Sequence, residues 1–257
     1  SFEKQNHRLI MDNLGRKNWF GRPRDSVYLF IQPQVPVVDG QGNWLFKAPF
    51  EPIVKPGGHG AIWTQAIRDG ILNALKAKGI SKMLIKQINN PVAGTDSGIL
   101  GFLGVGLKEN KAFGFASCER VVNANEGMDV VAERRSGSSW GYSITNVEYT
   151  EFKRKGIQDA PVEEGGHYSL FPCNTNILFA DIAGIESVQP LCPIPGITLN
   201  MKTTFKAIGN AGEPLEVKGG RLESTMQNIA DAIVDWVPEK LKEGEEKTKL
   251  RSIHMRG

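Results

Sequence analysis

The sequence contains little cysteine and little histidine. Its three cysteines are an odd number without paired spacing, which predicts reduced, mostly buried thiols in an intracellular protein. Its four histidines have no carboxylate or cysteine at metal-ligand spacing, so the sequence predicts no zinc site and no metal-ligating residue. These residues are Cys118, Cys173, Cys192, His7, His59, His167 and His254.

Long apolar segments and a strong excess of one charge are also missing. No window approaches the ~20 apolar residues that a membrane-spanning helix needs, and the first residues have the composition of neither a signal peptide nor a transit peptide. The 31 Lys and Arg residues nearly balance the 28 Asp and Glu residues, and the net charge is +3. So small a charge does not predict binding to nucleic acid or to a membrane, and we expect neither partner.

The composition is that of an ordinary globular protein with one unusual loop. The 257 residues, 40% of them hydrophobic, suffice for one large α/β domain or for a core with an appended lobe. The run Lys-Pro-Gly-Gly-His-Gly at 55–60 predicts a tight turn that opens into a helix over 61–78. Backbone N–H groups at such a junction suit an anion or the polar edge of a base. The alternative is a turn that only joins a strand to a helix.

The order of the elements around this loop predicts a parallel sheet. A strand in the first half of 26–38, a hairpin turn at 39–42 and a returning strand at 43–46 precede the loop, and an apolar strand follows at 82–89. Strand, loop, helix and strand form a βαβ pattern. Ligands of such sheets bind beyond the carboxyl ends of the strands, so we expect the glycine-rich loop and residues 87–90 at one edge.

The rest of the chain alternates between helical and extended patterns. The three strands predicted over 113–152 are expected to form a mixed sheet, as an antiparallel insertion, or a lid, and the charged end to be a solvated face or a frayed tail. We predict helices over 97–107 and 221–237, strands over 113–122, 128–133, 142–152 and 171–181, and the charged end at 239–249.

Two asparagines, Asn174 and Asn176, lie near the start of the last predicted strand. Asparagine is unfavourable in strands, so this pair requires hydrogen-bond partners. Two interpretations stay open on composition: the side chains cap a buried turn, or they bind the hydroxyl groups of a sugar.

Several motifs, in their order along the chain, resemble those of the UDP-sugar pyrophosphorylases. Two longer stretches look most like the UDP-glucose pyrophosphorylases of plastids and some bacteria, and the resemblance covers about residues 8–237. The motifs are Gln-Pro-Gln-Val-Pro at 32–36, Lys-Pro-Gly-Gly-His-Gly at 55–60, Ile-Asn-Asn at 88–90 and Asn-Thr-Asn at 174–176, and the longer stretches are 114–120 and 222–231.

The resemblance implies a reaction and a fold. A hexose-1-phosphate attacks the α-phosphorus of UTP with assistance from Mg²⁺, and pyrophosphate leaves; such a transfer depends on positioning and charge neutralisation. The implied fold is α/β of the nucleotide-diphospho-sugar transferase type, Rossmann-like and GT-A-like, with a mixed, mostly parallel sheet and an antiparallel insertion. The implied partners are UTP or a UDP-sugar and a hexose-1-phosphate, and the implied location is the cytoplasm or the plastid stroma.

The resemblance also implies roles for residues of the glycine-rich loop. Gln32 matches the glutamine that hydrogen-bonds the edge of uracil, for which an amide is suited because it both donates and accepts. Gly57 and Gly58 match the backbone that contacts the base, where a side chain would clash. His59 matches the histidine near the phosphates and is the implied catalytic residue; the alternative is a turn histidine that packs on the adjoining strand.

Other matching residues concern the sugar and the phosphates. Asn174 and Asn176 match the stretch that binds the hexose hydroxyls, although one of them is open to the turn-capping role. Glu148 matches the strand beside the sugar. Lys202 is a further catalytic candidate through a phosphate contact, with a solvated lysine as the alternative.

The sequence departs from the family pattern at three places. No glycine-rich loop of the kind that cradles the triphosphate precedes Gln32. Asn89, which with Asn90 belongs to the implied substrate site, stands where many members have aspartate; Asp96 is a substitute carboxylate for Mg²⁺ or else a helix cap. The late catalytic lysine has no match among Lys247, Lys249 and Arg251.

These patterns together predict part of an enzyme. We expect 1–237 to form the central and C-terminal part of a nucleotidyltransferase catalytic domain, with a charged tail at 238–257. A non-catalytic nucleotide-sugar-binding subunit without the triphosphate loop, and an α/β scaffold without a ligand, are the alternatives.

Overall fold

A computed structural model describes residues 4–88, 97–199, 201, 203–209 and 211–256. The chain is α/β and divides into two compact units. The first consists of Ser1–Ala74 and Pro193–Met226, and the second of Leu75–Cys192 and Gln227–Gly257. The arrangement of one catalytic domain at 1–237 with a tail at 238–257 stays a prediction.

The described elements, in chain order, are short strands and helices. The helices are α1 (Lys4–Arg16), α2 (Ala61–Arg68), α3 (Ile71–Ala77), α4 (Ser97–Lys108), α5 (Tyr149–Arg154), α6 (Ile182–Val188) and α7 (Glu246–Lys249), with 3₁₀ turns at Asn18–Gly21, Arg24–Ser26, Gln189–Leu191 and Met226–Ala232. The strands are β1 (Gln34–Val38), β2 (Phe46–Ala48), β3 (Glu51–Pro52), β4 (Val54–Pro56), β5 (Lys82–Ile85), β6 (Phe113–Cys118), β7 (Met128–Ser136), β8 (Ser139–Val147), β9 (Cys173–Asp181), β10 (Thr198–Leu199), β11 (Thr203–Ile208), β12 (Pro214–Glu223), β13 (Asp235–Val237) and β14 (Ser252–Arg256).

The first unit is built on an antiparallel sheet. Its strand order is β3-β2-β11-β12-β1-β4, with β10 beside β12. Its small buried core consists of Val37, Leu45 and Ala207. Gly219 of β12 is required beneath it, because a β-carbon there would lie 2.8 Å from a methyl group of Leu45. This sheet ends in β4, which leads directly into the glycine-rich loop.

The second unit has a mixed sheet in the order β13-β8-β7-β9-β6-β14, with β5 beside β9. Phe113, Phe115 and Phe179 are completely buried in it. Helix α4 packs closely on the sheet, because a β-carbon at Gly106 would lie 2.8 Å from the ring of Phe179. Close packing of the helix therefore depends on a glycine inside it.

The prediction of a mostly parallel sheet is not confirmed. Among the described residues, the strand pairs are antiparallel except for β6 with β14. The βαβ interpretation was wrong because β4 and β5 belong to different sheets, and β5 pairs with β9 in antiparallel orientation. The predicted helix over 61–78 is two helices, interrupted at Gly70, whose φ is +71°.

The predictions of other elements were partly correct. Helix 97–107 is confirmed by α4, and the strands at 113–122, 128–133 and 171–181 are confirmed with shifted ends by β6, β7 and β9. The segment 142–152 is a strand only as far as Val147, because α5 begins at Tyr149. In the segment 26–38 the second half, not the first, forms the strand.

The predicted helix over 221–237 was wrong. The segment contains the end of β12, a 3₁₀ turn and β13. Pairing of β12 with β11 and β1 fixes its extended conformation, so tertiary contacts overrule the helical spacing of the apolar residues.

The charged C-terminal segment takes part in the second sheet. Residues 252–256 form β14 and pair in parallel with β6. Before it, Lys240 forms an ion pair with Glu133 of β7 at 3.0 Å. Among the described residues no helix has the length and apolar character needed to cross a membrane.

Candidate functional site

The glycine-rich loop of the first unit is held by two backbone segments. The Gly57 N–H donates to the carbonyl of Pro33, and the Gly60 N–H donates to the carbonyl of Ser224, both at 2.9 Å. In return, the Ser224 N–H donates to the Gly57 carbonyl at 2.9 Å. Because these two loop N–H groups are already bonded, the loop has fewer donors for an anion than the sequence suggested.

Close backbone packing explains the glycines. Gly58 is buried with a φ of +94°, and a β-carbon there would lie 2.3 Å from the carbonyl oxygen of Ser224. At Gly60 a β-carbon would lie 2.6 Å from the hydroxyl of Ser224. Ser224, only 4% exposed, was not among the predicted site residues. The glycines of the loop indicated that another group packs closely against it, but the sequence did not identify that group as Ser224.

Gln32 lies next to this loop. Its half-buried side chain donates from Nε2 to the carbonyl of Gly58. The structure thus brings together two of the residues, Gln32 and Gly58, that the resemblance associates with the uracil base. The contact also orients the amide, with Oε1 at the other end of the group available as an acceptor.

His59 is anchored by its Nδ1 atom, which accepts a hydrogen bond of 3.0 Å from the N–H of Met226. The carbonyl of Met226 in turn accepts from Trp63 Nε1 at 2.8 Å. Desolvation of the ring lowers the pKa of His59, and the nearby carboxylate of Glu223 opposes this shift. The imidazole is therefore neutral at pH 7, with its proton on Nε2.

A small cavity of about 100 Å³ lies in the first unit and is lined in part by Lys55, Arg221 and Glu223. Glu223 forms an ion pair with Arg221. One positive charge therefore remains in excess among these three groups, at the start of the glycine-rich loop.

The second unit places two other predicted residues in one row across its sheet. Met128 of β7 is paired with Val147 of β8 on one side and with the first residue of β9 on the other. The N–H of Asn174 donates to the carbonyl of Gly127 at 3.1 Å. Glu148, which follows Val147 and is exposed, therefore lies at the same level of the sheet as Asn174.

Asn174 and Asn176 form a bulge in β9. The register with β6 shifts there, so that Thr175 and Asn176 have no opposite residue. Asn174 Oδ1 accepts from the Asn176 N–H at 2.9 Å, and Asn174 Nδ2 donates to Asn176 Oδ1 at 3.0 Å. Both asparagines thus have the turn-stabilising contacts of one interpretation, while their contact with a sugar stays a prediction.

The bulge predicts a difference between two substitutions of Asn176. Its φ of +58° suits asparagine or glycine, so Asn176→Ala should lower the free energy of unfolding by about 1 kcal/mol relative to Asn176→Gly. Urea denaturation measures both. Asn110, an exposed turn residue with a φ of +49°, provides the control pair Asn110→Ala and Asn110→Gly. Equal stability of the two Asn176 variants would contradict the left-handed conformation.

A buried carboxylate lies beside this row and was missed from the sequence. Asp129 is 2% exposed; its oxygens accept from Ser117 Oγ at 2.7 Å and from Asn146 Nδ2 at 3.1 Å. Burial raises the pKa of Asp129 to about 7, against the lowering effect of these hydrogen bonds. An aspartate within an alternating strand pattern gave no sign of burial, because the same pattern fits a solvent-facing position.

A second carboxylate, Asp231, lies close to strand β8, which contains Asn146. It accepts hydrogen bonds from the hydroxyl of Thr145 and, at 3.2 Å, from Asn228 Nδ2. Burial raises the pKa of Asp231 as well. Strand β8 therefore has an acid near each of two consecutive residues, the half-buried Asp231 near Thr145 and the buried Asp129 near Asn146.

The remaining predicted residues lie outside the described ranges. These are Asn89, Asn90, Asp96 and Lys202. In the described part of the chain, no group of three or more His, Cys, Asp or Glu side chains is arranged to hold a metal ion.

Comparison with known proteins gives a consistent result. The family described as UTP–glucose-1-phosphate uridylyltransferase matches residues 16–155. UTP–glucose-1-phosphate uridylyltransferase 3, chloroplastic, of Arabidopsis thaliana is 39% identical over 243 residues, which are 93% of this chain and 28% of that protein. UDP-N-acetylglucosamine diphosphorylase 2 of the same plant is 26% identical over 134 residues, 52% of this chain and 25% of that protein.

Solved structures share the fold. A UDP-N-acetylglucosamine pyrophosphorylase structure from Entamoeba histolytica has a TM-score of 0.69 at 18% identity, over 98% of this chain and 57% of its own. A UDP-glucose pyrophosphorylase variant from Leishmania major, solved in complex with UDP-glucose, has a TM-score of 0.61 at 19% identity, over 95% of this chain and 48% of its own. The chain therefore spans about a quarter of the length of the curated relatives and about half of these structures.

Proposed function

Because the chain belongs to the UTP–glucose-1-phosphate uridylyltransferase family, we propose that it contributes the uridine-binding and hexose-binding residues of an enzyme that makes a UDP-sugar. The reaction joins UTP and a hexose-1-phosphate and releases pyrophosphate. We assign the complete reaction to a polypeptide that also has a triphosphate-binding loop, which these 257 residues do not contain. The non-catalytic subunit is not favoured, because the family match points to the enzyme.

The observation that carries the proposal is the contact between Gln32 and Gly58. Uracil presents a donor and acceptors along one edge, and the Gln32 amide, oriented by this contact beside the half-buried Gly57, matches such an edge. We therefore assign the uracil to the loop of the first unit.

His59 acts on the phosphates in this proposal. Because its Nδ1 is occupied by the Met226 N–H, Nε2 carries the proton and donates a hydrogen bond to a phosphate oxygen. A neutral donor that is already fixed in position stabilises developing negative charge without reorganisation. Lys55 and Lys202 supply positive charge for the same phosphates.

The hexose belongs to the second unit. Glu148 offers an exposed carboxylate, and carboxylates accept hydrogen bonds from sugar hydroxyls. Asn174 and Asn176 bind the hexose from the adjacent bulge, and Asn89 and Asn90 complete the substrate site. The deep burial of Asp129 makes it a support of this row rather than a ligand.

Mg²⁺ is expected from the family, in which it accompanies the nucleotide. The described residues do not fit a protein-held metal, because no suitable group of acidic side chains is found among them. Mg²⁺ in such reactions is held largely by substrate phosphates and water. We assign no residue of the described chain to it and no step to the ion.

The same relationship suggests where the protein works. One relative is named as chloroplastic, and we propose the plastid stroma for this chain. The nucleotide-diphospho-sugar transferase fold, with its mostly parallel nucleotide-binding sheet, is proposed for the complete enzyme.

Substitution of Gln32 tests the uracil assignment. Gln32→Ala should weaken the binding of UDP-glucose by about 1–3 kcal/mol, because a polar group of the base loses its partner. Isothermal titration calorimetry on the folded chain measures this change. Gln41→Ala, in an exposed turn, removes the same side chain elsewhere and should leave affinity unchanged. Equal affinity of the Gln32 variant and the parent would refute the assignment.

A further inference from the structure

Two cysteines face each other on neighbouring strands of the second unit. Cys118, the last residue of β6, is paired in register with Cys173, the first residue of β9. Their sulfur atoms are 3.0 Å apart. Cys118 is exposed, whereas Cys173 is only 7% exposed. This pair was not expected from the sequence, where the two residues are 55 positions apart.

The backbone geometry suits a covalent link. Opposite residues of an antiparallel pair have Cα atoms about 4.5–5.5 Å apart, and this separation lies within the range that disulfides accept. Reducing the sulfur separation from 3.0 Å to a bond length needs a movement of about 1 Å. Rotation about the side-chain bonds of Cys118, at an exposed strand end, supplies it without a change of register.

We propose that Cys118 and Cys173 form a reversible intramolecular disulfide by exchange with a soluble disulfide of the glutathione type. The Cys118 thiolate attacks the disulfide, forms a mixed disulfide and expels one glutathione thiolate. The Cys173 thiolate then attacks the Cys118 sulfur and expels the second glutathione. Two protein thiols are oxidised, one glutathione disulfide is reduced to two thiols, and reduced glutathione reverses both steps.

The environments of the two sulfurs fit these different roles. Exposure makes Cys118 the site of attack on a soluble reagent. The pKa of Cys173 is raised to about 12, first by burial and then by the neighbouring Cys118 sulfur. Capping of Cys118 in the mixed disulfide removes that neighbour's negative charge. Attack by Cys173 is therefore easier than its raised pKa in the reduced protein suggests. The short distance between the two sulfurs favours this attack further.

The bond would lie directly beside the asparagine bulge. Cys173 precedes Asn174, and the residue before Cys118, Ser117, is paired with Asn174. Ser117 also donates to Asp129. The bond ties the first residue of β9 to β6 and so restrains the adjacent bulge, and oxidation should therefore weaken the binding of UDP-glucose by at least threefold. This consequence rests on the proposed function, while formation of the disulfide does not.

Thiol mapping in a Cys192→Ser background tests the proposal, since that change removes the third thiol. The folded protein is equilibrated with glutathione buffers of increasing oxidised fraction, quenched with acid and digested with trypsin. We expect one transition from two free thiols to none, with the peptide 112–120 linked to the peptide 156–202. Cys173→Ser should instead stop at a glutathione adduct on Cys118, and Cys118→Ser should remain reduced.

Two results would overturn the disulfide. One is a glutathione adduct on Cys118 that persists at every buffer ratio while Cys173 remains free; the other is linkage between separate chains in place of the intramolecular peptide pair. Calorimetry with UDP-glucose on the oxidised and reduced forms tests the consequence. Equal affinities would refute control of the hexose site, and no binding in either form would refute the proposed function, while the peptide map still decides the disulfide.

Discussion

Gly58→Ala is expected to disrupt the first unit and to abolish the binding of uridine nucleotides. The new β-carbon would lie 2.3 Å from the carbonyl oxygen and 2.5 Å from the nitrogen of Ser224, at a φ of +94°. Backbone atoms cannot rotate away as a side chain does, so the loop must leave Ser224. We expect a loss of about 3–4 kcal/mol in the free energy of unfolding, measured by urea denaturation.

Gly42→Ala is the matched control for this variant. Gly42 has nearly the same φ, +89°, but nothing lies within 4 Å of an added β-carbon. Gly42→Ala should lower the free energy of unfolding by about 1 kcal/mol, which is the contribution of the backbone conformation alone. The difference between the variants isolates the clash with Ser224, and equal losses would contradict the close approach of these two backbone segments.

The free energy of unfolding should fall as pH rises from about 4 to about 7, because of Asp129. Its pKa is raised from 3.8 to about 7 in the folded protein. Between these pH values Asp129 holds a proton in the folded state that it has released in the unfolded state. Its contribution to the free energy of unfolding is therefore fully present at low pH and is lost as the pH rises to about 7. The loss is on the order of 4 kcal/mol. Denaturation curves at several pH values measure it.

Asp129→Asn provides the comparison for this pH dependence. An amide at position 129 can accept from Asn146 and donate to Ser117, so the buried contacts of Asp129 remain satisfied without a titrating group. The pKa of Asp231 is also raised, and the informative quantity is therefore the difference between the two proteins. This difference should be largest near pH 7 and disappear near pH 4. Parallel curves would show that Asp129 ionises normally.

Local sequence signals predicted those features that depend on neighbouring residues. The glycine-rich sequence at 55–60 predicted a tight turn, in which Gly58 has a φ of +94°, and the apolar spacing of 97–107 predicted α4. Pairing between distant strands was not predictable in this way. The residues of β12 around Leu222 have a helical spacing, yet this strand pairs with β11 and β1, and no local pattern contains that information.

The candidate site shows the same contrast. Family-like motifs pointed to Gln32 and Gly58, and the structure places them in contact. The parts that were missed depend on what the chain brings together from far away: Ser224 against the loop, Asp129 beneath the row of Asn174, and the facing cysteines. Burial and cross-strand register decide these contacts, and both are properties of the complete fold.

The central claim is that the glycine-rich loop receives the uracil base. Nuclear magnetic resonance of the ¹⁵N-labelled chain, titrated with UMP and separately with AMP, tests it most directly, because amide signals of glycines are resolved from most others. We predict shifts of the Gly57, Gly58 and Gly60 signals with UMP, no matching shifts with AMP, and no change at the exposed Gly42. Equal shifts with both nucleotides, or UMP-dependent shifts that leave these three glycines unmoved, would contradict the account.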